Sequence, residues 1–475
     1  MKMLRTASLF CGAGGETQGK VRAFQQLGIP EDQVHSIALN HWHLAIQTHQ
    51  ENFPGMLAEQ EDVTLVTAES YKVTELDLLW ASPSCVHHSR ARGKAPKDTQ
   101  ERAHADEVLD RWVRKCKVHY LIIENVPEFK DWGPLNDSGS PDKESKGQLF
   151  QKFIQQLEEL GYHVEWRILT AADYGDPTSR RRLFLQAALD GVVTWPEPTH
   201  RSYRKRCSPE REHLPRWRSA AECIDWSIPM RSIFGRTDRH GNPKELSDAT
   251  KRRIAHGLMK HVVHSKDPFL VGRKEDLAAY TLIQTGYGER TGQNPRILSL
   301  TEPIPTVMAG GGKVALVAAF LDTYYTGTEG RSMADPMGAV TTIDHHALVT
   351  ATLSVSDENQ SSLVYAFLHQ YYSMGDNSTH PADPLATVTT KDRTALVTVE
   401  VNSVTYVVTD ICLRMLSPRE LARAMGFPES FQFVADGKPL TSAASVRMIG
   451  NACPVNTVAA LIRSMVNARV SRFAN

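Results

Sequence analysis

The chain has 475 residues, with 54 Lys plus Arg balanced by 54 Asp plus Glu, and 41% of its residues are hydrophobic. That length allows two or three domains with a sizeable core. No apolar run reaches the roughly 20 residues of a membrane-spanning helix, and the N-terminus lacks the long apolar stretch of a secretory signal. Seven cysteines form no CxxC pair, so we predict neither a disulfide framework nor a metal site. These features predict a cytoplasmic protein with no membrane partner.

Apolar runs alternate with helical patterns over the first 190 residues. This alternation is typical of a doubly wound, mostly parallel α/β sheet. The predicted strands cover residues 4–10, 34–40, 76–81, 120–124, 164–169 and 183–189, and the predicted helices cover 17–27, 44–52 and about 150–160. Open α/β sheets bind ligands outside the carboxyl ends of their strands. The residues that follow these runs are therefore the first candidates for chemistry.

The first predicted strand runs into a glycine-rich turn, FCGAGG, at residues 10–15. Glycines allow a tight turn and a close approach of the backbone to a ligand at the start of a helix, which suits a nucleotide-like cofactor. The spacing is not that of a phosphate-binding P-loop, which disfavours ATP. Taken alone, the turn is also consistent with a bend made only for packing.

A cysteine, Cys85, follows the third predicted strand in the sequence SPSC. A thiol at a strand end is in position to act as a nucleophile, and Arg90 and Arg92 favour its thiolate form. For a lone cysteine, a buried structural thiol is the more common alternative. His87 and His88 suggest a Cys/His dyad or a metal site, but neighbouring residues of an extended loop point apart and no third ligand has suitable spacing. We therefore predict that these histidines serve loop packing or substrate contact.

Charged residues also mark the ends of two later strands. Glu124 ends the buried run YLIIE, where a desolvated carboxyl is a plausible proton donor, although many acids at strand ends are merely solvated. Arg180 and Arg182 precede the last strand, and strand alternation predicts that they share a face. Two such guanidinium groups suit one anion or a carbonyl oxygen.

The pattern changes after residue 190. Residues 199–260 contain 15 Lys plus Arg against 7 Asp plus Glu, which indicates either phosphate binding or a solvated basic surface. A unit that begins with Phe-Leu and ends with Ala-Leu-Val then occurs three times, near residues 269–398. Its Val/Thr/Tyr-rich segments and Asp-Pro turns predict short strands, serving either as scaffold or as a ligand contact.

Six motifs, in this order, resemble those of the cytosine-C5 DNA methyltransferases of bacteria and phages: SLFCGAGGETQG, SPSC, IIENVPEF, YGDPTSRRRLFL, RMLSPRELARAMGFP and MIGNACP. The resemblance covers about residues 5–190 and 411–465. It implies the class I S-adenosylmethionine-dependent fold, with a catalytic and cofactor-binding α/β domain at 1–190 that is completed by 411–475. Residues 191–410 would then be an inserted, β-rich target-recognition domain. The implied activity is methylation of C5 of cytosine in a specific duplex sequence, as in restriction-modification or anti-restriction.

The resemblance also implies residue roles. Cys85 would attack C6 of a flipped-out cytosine, Glu124 would bind and protonate N3, Arg182 would hold O2, and Arg180 would support the loop and nearby phosphates. Trp42 would stack on the adenine of S-adenosylmethionine, with Asp62 near its amino group. The implied cofactor-binding residues are Phe10, Gly12, Ala13, Gly14, Gly15, Asn40, His41, Trp42, Asp62, Val63, Pro83 and Asn451. Asn125 and Arg419 would brace the catalytic loop and the lobe junction.

The chain departs from the family pattern at four sites. Ser84 and Val86 flank the cysteine where the family has Pro and Gln, Thr178 replaces a glutamine, and Cys453 replaces a valine. The acidic residue that normally binds the cofactor ribose after the second strand is also missing, so Asn40 or His41 is left to take that role. None of these changes removes the nucleophile or the proton-transfer group, and we therefore expect an active enzyme.

Three alternatives remain: an RNA cytosine-C5 methyltransferase, a non-catalytic DNA-binding homologue, and an unrelated dinucleotide-binding enzyme. The large inserted region favours double-stranded DNA as the partner. The presence of Cys85, Glu124 and the glycine turn favours catalysis. The lack of an acid after the second strand disfavours a dinucleotide enzyme. We expect a monomer, with a cognate restriction endonuclease as a candidate partner.

Overall fold

A computed structural model describes residues 3–84, 103–202, 209–238, 240–260, 264 and 404–469, and the backbone of six strands between residues 270 and 401. The chain forms two units. The first contains Met1–Asp176, Arg180–Arg216 and Met425–Asn475, and the second contains Pro177–Ser179 and Trp217–Ala424. The domain boundaries predicted from the sequence, at 190 and 410, differ from these limits and stay a prediction.

In the N-terminal part of the chain, the described residues up to 188 supply nine strands and four α-helices to the first unit. In chain order they are β1 (Leu4–Leu9), α1 (Gly15–Gln26), β2 (Val34–Asn40), α2 (His43–Asn52), β3 (Leu57–Gln60), β4 (Glu75–Leu76), β5 (Leu78–Ala81), α3 (His104–Val108), β6 (Lys117–Val118), β7 (Tyr120–Asn125), α4 (Gln148–Glu159), β8 (His163–Thr170) and β9 (Arg181–Ala188).

The second unit and the end of the chain supply the remaining elements. These are β10 (Arg231–Ser232), α5 (Asp248–Leu258), β11 (Leu270–Val271), β12 (Ala278–Thr285), β13 (Ile297–Leu298), β14 (Lys313–Ala318), β15 (His346–Ser354), β16 (Thr398–Val401), β17 (Val404–Met415), α6 (Pro418–Ala424), β18 (Val434–Ala435), β19 (Lys438–Pro439), α7 (Ser442–Asn451) and α8 (Val455–Asn467). No helix among the described residues is long and apolar enough to cross a membrane.

Seven strands of the first unit form one sheet in the order β3-β2-β1-β5-β7-β9-β8. The first five strands of that order run parallel, and β9 is antiparallel to both β7 and β8. The predicted class, a mostly parallel doubly wound sheet, is confirmed. The predicted strand at 76–81 is divided, because β4 pairs with β6 in a separate two-stranded sheet and only β5 joins the large sheet.

The central strands are buried on both faces, as expected for a sheet covered by helices on each side. On β5, Leu79 packs into one core cluster, together with Trp112 and Phe150. Its neighbour Trp80 points the other way, into a cluster that includes residues of α1 and α8. The same alternation along β7 puts Glu124 on the α1 and α8 face of the sheet.

The second unit contains an eight-stranded sheet in which every described pairing is antiparallel. The Ala-Leu-Val elements of two repeat copies lie in β14 and β15, whereas that of the third copy lies outside the described residues. Ser247 caps the start of helix α5, because its side chain accepts a hydrogen bond from the Thr250 amide. The buried apolar side chains of α5 are Ile254, Ala255 and Leu258.

Candidate active site

One edge of the seven-stranded sheet gathers most of the predicted site residues. The carboxyl ends of β1, β2, β5 and β7 lie there, and so does the start of β9, because β9 runs antiparallel to β7. The tertiary fold therefore brings the glycine turn, Asn40, Pro83, Glu124 and Arg182 to a common edge.

The glycine turn leaves β1 through three residues with positive φ: Phe10 at 58°, Gly12 at 55° and Gly14 at 94°. A Cβ added at Gly12 would meet no atom of the described residues within 4 Å, so open space lies beside Gly12 in the described part of the chain. A Cβ at Gly14 would lie 2.6 Å from the Phe53 ring, and one at Gly15 would lie 2.7 Å from the Ala452 Cβ. Gly14 and Gly15 are thus required by packing, whereas Gly12 borders space that a ligand can use.

A buried chain of polar side chains lies beneath this turn. Lys20 donates to Ser8 and lies 3.3 Å from Glu16, and all three residues are at most 3% exposed. The Thr17 hydroxyl donates to the Glu16 carboxylate at 2.8 Å, and it lies 3.0 Å from the His49 Nε2. Burial, and next the Lys20 charge, lower the pKa of His49 to about 3, so this imidazole is neutral.

Sequence reasoning missed this buried chain. Its only signal was the charged pair four residues apart on α1, a spacing that usually marks a solvated helix face.

The loop after β2 supplies a partly exposed aromatic ring. The Asn40 Oδ1 accepts a hydrogen bond from the Trp42 amide at 2.9 Å, which fixes the start of the loop. The Arg447 guanidinium lies 4.5 Å from the centre of the Trp42 ring and covers one of its faces. Arg447 was not found from the sequence, because only folding brings α7 beside this loop.

The remaining predicted cofactor residues differ in exposure. Asp62 is exposed, and its carboxylate accepts hydrogen bonds from the amide and the hydroxyl of Thr64. Burial by itself would raise the pKa of Asp62, but these hydrogen bonds hold it below its ordinary value. Val63 is 2% exposed and packs in the core, so only its backbone can reach a ligand. Phe10 stacks on His104 with 5.5 Å between ring centres, and Asn451 is exposed at the end of α7.

Glu124 and Arg182 form an ion pair at the common edge. The Arg182 Nε lies 3.0 Å from the Glu124 Oε1, and each side chain is 8% exposed. The Arg182 Nη1 also donates to the Arg181 carbonyl at 2.8 Å, which orients the guanidinium. This arrangement presents a carboxyl group and a guanidinium side by side at the edge of the sheet.

Arg180 takes a different position from Arg182. Strand β9 begins at Arg181, so the alternation that predicted a shared face does not extend to Arg180. The Arg180 Nη2 donates to the Gly450 carbonyl at 3.0 Å, and the residue is 2% exposed. Its observed contact therefore ties the start of β9 to α7, and its role toward phosphates stays a prediction.

The sequence profile described as C-5 cytosine-specific DNA methylase matches residues 4–257 and 333–467, which is most of the chain. The chain belongs to this family. It is 30% identical to the Type II methylase M.HgiDII of Herpetosiphon aurantiacus over 40% of this chain and 49% of that protein. It is 29% identical to the Type II methyltransferase M1.HphI of Haemophilus parahaemolyticus over 41% of this chain and 49% of that protein. The matches thus span less than half the length of these relatives.

In this chain, the segment that leads to Cys85 is held at its base. The Asn125 Nδ2 donates to the carbonyl of Pro83 at 3.2 Å, and the predicted role of Asn125 in bracing the catalytic loop stays a prediction. Ser82 accepts a hydrogen bond from the Trp80 indole, and its hydroxyl lies 3.6 Å from the Cys453 Sγ. Burial raises the pKa of Cys453, which therefore stays a thiol. Cys85, His87 and His88 lie outside the described residues, so the predictions about them stay predictions.

Proposed function

We propose that this methylase transfers a methyl group from S-adenosylmethionine to C5 of cytosine in double-stranded DNA. The observation that carries the proposal is the Glu124–Arg182 ion pair at the edge where the glycine turn and the Pro83 segment also end. A guanidinium and a carboxyl side by side match O2 and N3, two neighbouring atoms on one edge of cytosine. Membership of the C-5 cytosine-specific DNA methylase family supports the same reaction.

The residues of the glycine turn fit an adenosyl cofactor. Open space beside Gly12 allows a ligand to approach the backbone, and the Trp42 ring, which is only partly buried, can stack on an adenine ring. Asp62 is an exposed carboxylate that can accept a hydrogen bond from an amino group. When bound, S-adenosylmethionine supplies an electrophilic methyl group. Phe10, Gly12, Ala13, Gly14, Gly15, Asn40, His41, Trp42, Asp62, Val63, Pro83 and Asn451 are the residues we assign to this site.

The chain's own residues would then act on a cytosine that has been flipped out of the duplex. The Cys85 thiolate forms a bond to C6, while Glu124 delivers a proton to N3, so that electron density moves to C5. Arg182 holds O2, and Arg180 keeps β9 in place. Once C5 carries the methyl group, a base such as water takes the C5 proton and the Cys85–C6 bond breaks. This elimination restores the thiolate and the aromatic ring, and N3 returns its proton to Glu124. Glu124 must hold a proton for this step, so entry of the base has to weaken its ion pair with Arg182.

A covalent trap tests this proposal without knowledge of the recognition sequence. A long duplex copied with 5-fluoro-dCTP carries fluorine at every cytosine C5, where a proton would otherwise be lost. Incubation with the protein and S-adenosylmethionine should leave a protein–DNA adduct that survives denaturation. The adduct should be absent with Cys85→Ala and present with Cys116→Ala, because Cys116 is a half-buried thiol that donates to the Trp112 carbonyl.

The outcomes separate the alternatives. An adduct on RNA that contains 5-fluorocytosine, with none on duplex DNA, would replace the DNA proposal with an RNA enzyme. The absence of any adduct, with binding to DNA retained, would indicate a non-catalytic homologue. Bisulfite sequencing of DNA methylated by the protein would then read the target sequence.

We also propose that the protein acts in the cytoplasm as a monomer on double-stranded DNA, with a cognate restriction endonuclease as its biological partner. The names of several relatives, which are Type II methyltransferases, support this association. Analytical ultracentrifugation of the protein with and without duplex DNA measures its oligomeric state.

A further inference from the structure

A short hairpin of the second unit encloses a basic cavity that the proposed chemistry does not use. The cavity has a volume of about 570 Å³, and its charged lining residues are Arg236, Lys244, Asp238 and Glu245. It lies in the basic segment at 199–260, where the sequence left phosphate binding and a solvated surface equally open.

The hairpin has a defined backbone. Thr237 and Pro243 form an antiparallel bridge, and the Lys244 amide donates to the Arg236 carbonyl at 2.9 Å. The Asp238 side chain closes the turn by accepting hydrogen bonds from the amides of His240 and Asn242. The two cationic residues are therefore held opposite each other at the base of one hairpin.

The acids of this hairpin offset only part of its positive charge. The Arg236 Nη1 is buried and has no hydrogen-bond partner among the described residues. The Asp238 carboxylate accepts hydrogen bonds from the turn amides and offsets one of the two positive charges, whereas Glu245 pairs with Lys251, which does not line the cavity. Burial, and next the positive charge of Arg231, lower the pKa of Arg236, yet a guanidinium stays charged in proteins. The cavity thus holds excess positive charge that favours an anion.

We propose that Arg236 and Lys244 bind a backbone phosphate of duplex DNA, so that this hairpin positions the second unit on the nucleic acid. The inference rests on the proposed function, which supplies DNA as the partner. A half-buried guanidinium with an unused donor suits a phosphate oxygen, and Lys244 adds a second positive charge. A contact to phosphate adds affinity and orientation without reading sequence.

The salt dependence of DNA binding tests this assignment. Fluorescence anisotropy with a duplex of mixed sequence, between about 50 and 200 mM NaCl, gives the slope of log K against log salt. Loss of one phosphate contact should reduce the magnitude of that slope by about 0.9. We expect this reduction for Arg236→Gln and for Lys244→Gln, with equal loss of affinity on unrelated sequences. Arg236→Lys should restore the slope, because counterion release depends on charge.

Arg218→Gln is the matched control. Arg218 is an exposed arginine of the same unit, and its side chain pairs with Glu222 at 2.9 Å. It should leave the slope unchanged. Circular dichroism verifies the fold of each variant. If Arg236→Gln unfolds, the salt slope of Lys244→Gln still tests the inference, because Lys244 is exposed and its substitution leaves the fold intact. Wild-type slopes in both Gln variants would overturn this inference alone, whereas failure of the wild-type protein to bind any duplex would overturn the proposed function as well.

Discussion

Two ion pairs of the first unit are nearly or completely removed from water, and they serve different ends. Glu124 and Arg182 lie at the edge of the sheet with a small exposed fraction, so a base can still reach them. Lys20 and Glu16 lie beneath the glycine turn and are at most 3% exposed. Buried ion pairs are weak evidence for stability, since desolvation offsets their attraction. The accessible pair is therefore assigned to chemistry and the inaccessible pair to support of the turn.

Glu124→Gln should bind S-adenosylmethionine as the wild type does and lose most of its turnover. The amide keeps the shape of the side chain but cannot deliver a proton to N3, and general acid catalysis contributes about 10²- to 10⁴-fold. Isothermal titration calorimetry measures cofactor binding, and tritiated methyl transfer measures turnover. Glu158→Gln, on the exposed side of α4, is the control. Wild-type turnover in Glu124→Gln would refute the assigned role.

Lys20→Met should lower the free energy of unfolding by about 3 to 5 kcal/mol, because it leaves the Glu16 carboxylate buried without its cation. Adding Glu16→Gln to this variant should recover part of the loss, since no charge is then buried unpaired. Urea denaturation measures both. Arg114→Met breaks an exposed pair with Asp110 at the same helical spacing and should cost less than about 1 kcal/mol. A loss no larger in Lys20→Met than in this control would contradict the prediction.

At the scale of elements, two short segments of the first unit depend on specific residues: the turn from β1 into α1, and the start of α8. The turn depends on glycine for two separate reasons, open space at Gly12 and close packing at Gly14. The start of α8 depends on Asp176, whose buried carboxyl accepts hydrogen bonds from the amides of Asn456 and Thr457 and from the Thr457 hydroxyl. This acid from the segment before β9 thus caps a helix far away in the sequence.

The two glycines should respond differently to alanine. Gly12→Ala should cost about 1 to 2 kcal/mol through its positive φ and weaken cofactor binding, because the added methyl enters the open space. Gly14→Ala should cost about 2 to 5 kcal/mol, since overpacking against Phe53 and His49 adds to the same strain. Urea denaturation and calorimetric titration give the two quantities. Equal losses of stability in both variants would contradict this prediction, because they would show that Phe53 and His49 move aside for the added methyl group without destabilising the protein.

Asp176 predicts a dependence of stability on pH. Burial raises the pKa of this carboxyl to about 7, although the hydrogen bonds from Asn456 and Thr457 act in the opposite direction. The folded chain therefore holds a proton that the unfolded chain releases near pH 4, and the contribution of Asp176 to stability falls as the pH rises from about 4 to 7. Asp176→Asn should show a smaller decline over that window than the wild type.

Urea denaturation at each pH measures this difference. Asp137→Asn, at an exposed position in the same unit, should retain the wild-type decline. A decline in Asp176→Asn as steep as that of the wild type would place the titrating group elsewhere.

At the scale of the whole molecule, the first unit is built from segments that are distant in the sequence. Residues 425–475 belong to the same unit as the N-terminal sheet, and α8 buries most of its side chains against it. The family profile also matches both ends of the chain and leaves 258–332 unmatched. The glycine turn therefore depends on the C-terminal segment, because Ala452 and Cys453 pack directly against Gly15 and leave no room for a Cβ there.

A chain that ends at Ala424 should lose cooperative unfolding and cofactor binding. Removal of α8 exposes one face of the sheet, where each buried Val, Leu, Ile or Met contributes about 1.5 to 3 kcal/mol. Differential scanning calorimetry and cofactor titration measure the two losses. A chain that ends at Arg469 retains every described element and should behave as the full chain does. Full cofactor affinity in the shorter chain would contradict the placement of α8 in this unit.

The sequence by itself predicted six strands of the large sheet, the family and the order of the motifs, because hydrophobic periodicity and glycine spacing are local properties of a chain. It missed the short edge strand β3 and did not predict the division of the strand at 76–81. The strand at 34–40 matches β2 at both ends, and Glu124, Arg182 and the glycine turn were named from motifs. The domain limits, the role of Cys85 and the role of the repeats were also predicted from the sequence, and they stay predictions.

Only the tertiary structure decided which of these side chains meet. The antiparallel direction of β9 pairs Arg182 with Glu124, and the start of that strand at Arg181 sends Arg180 to the Gly450 carbonyl instead. The Arg447–Trp42 contact likewise joins a helix to a loop that is distant in the sequence. The Lys20–Glu16 pair has a local spacing on α1, but only the packing of that helix in the folded unit buries it. Tertiary contacts and burial depend on residues brought together through space, and no local pattern of the chain encodes them.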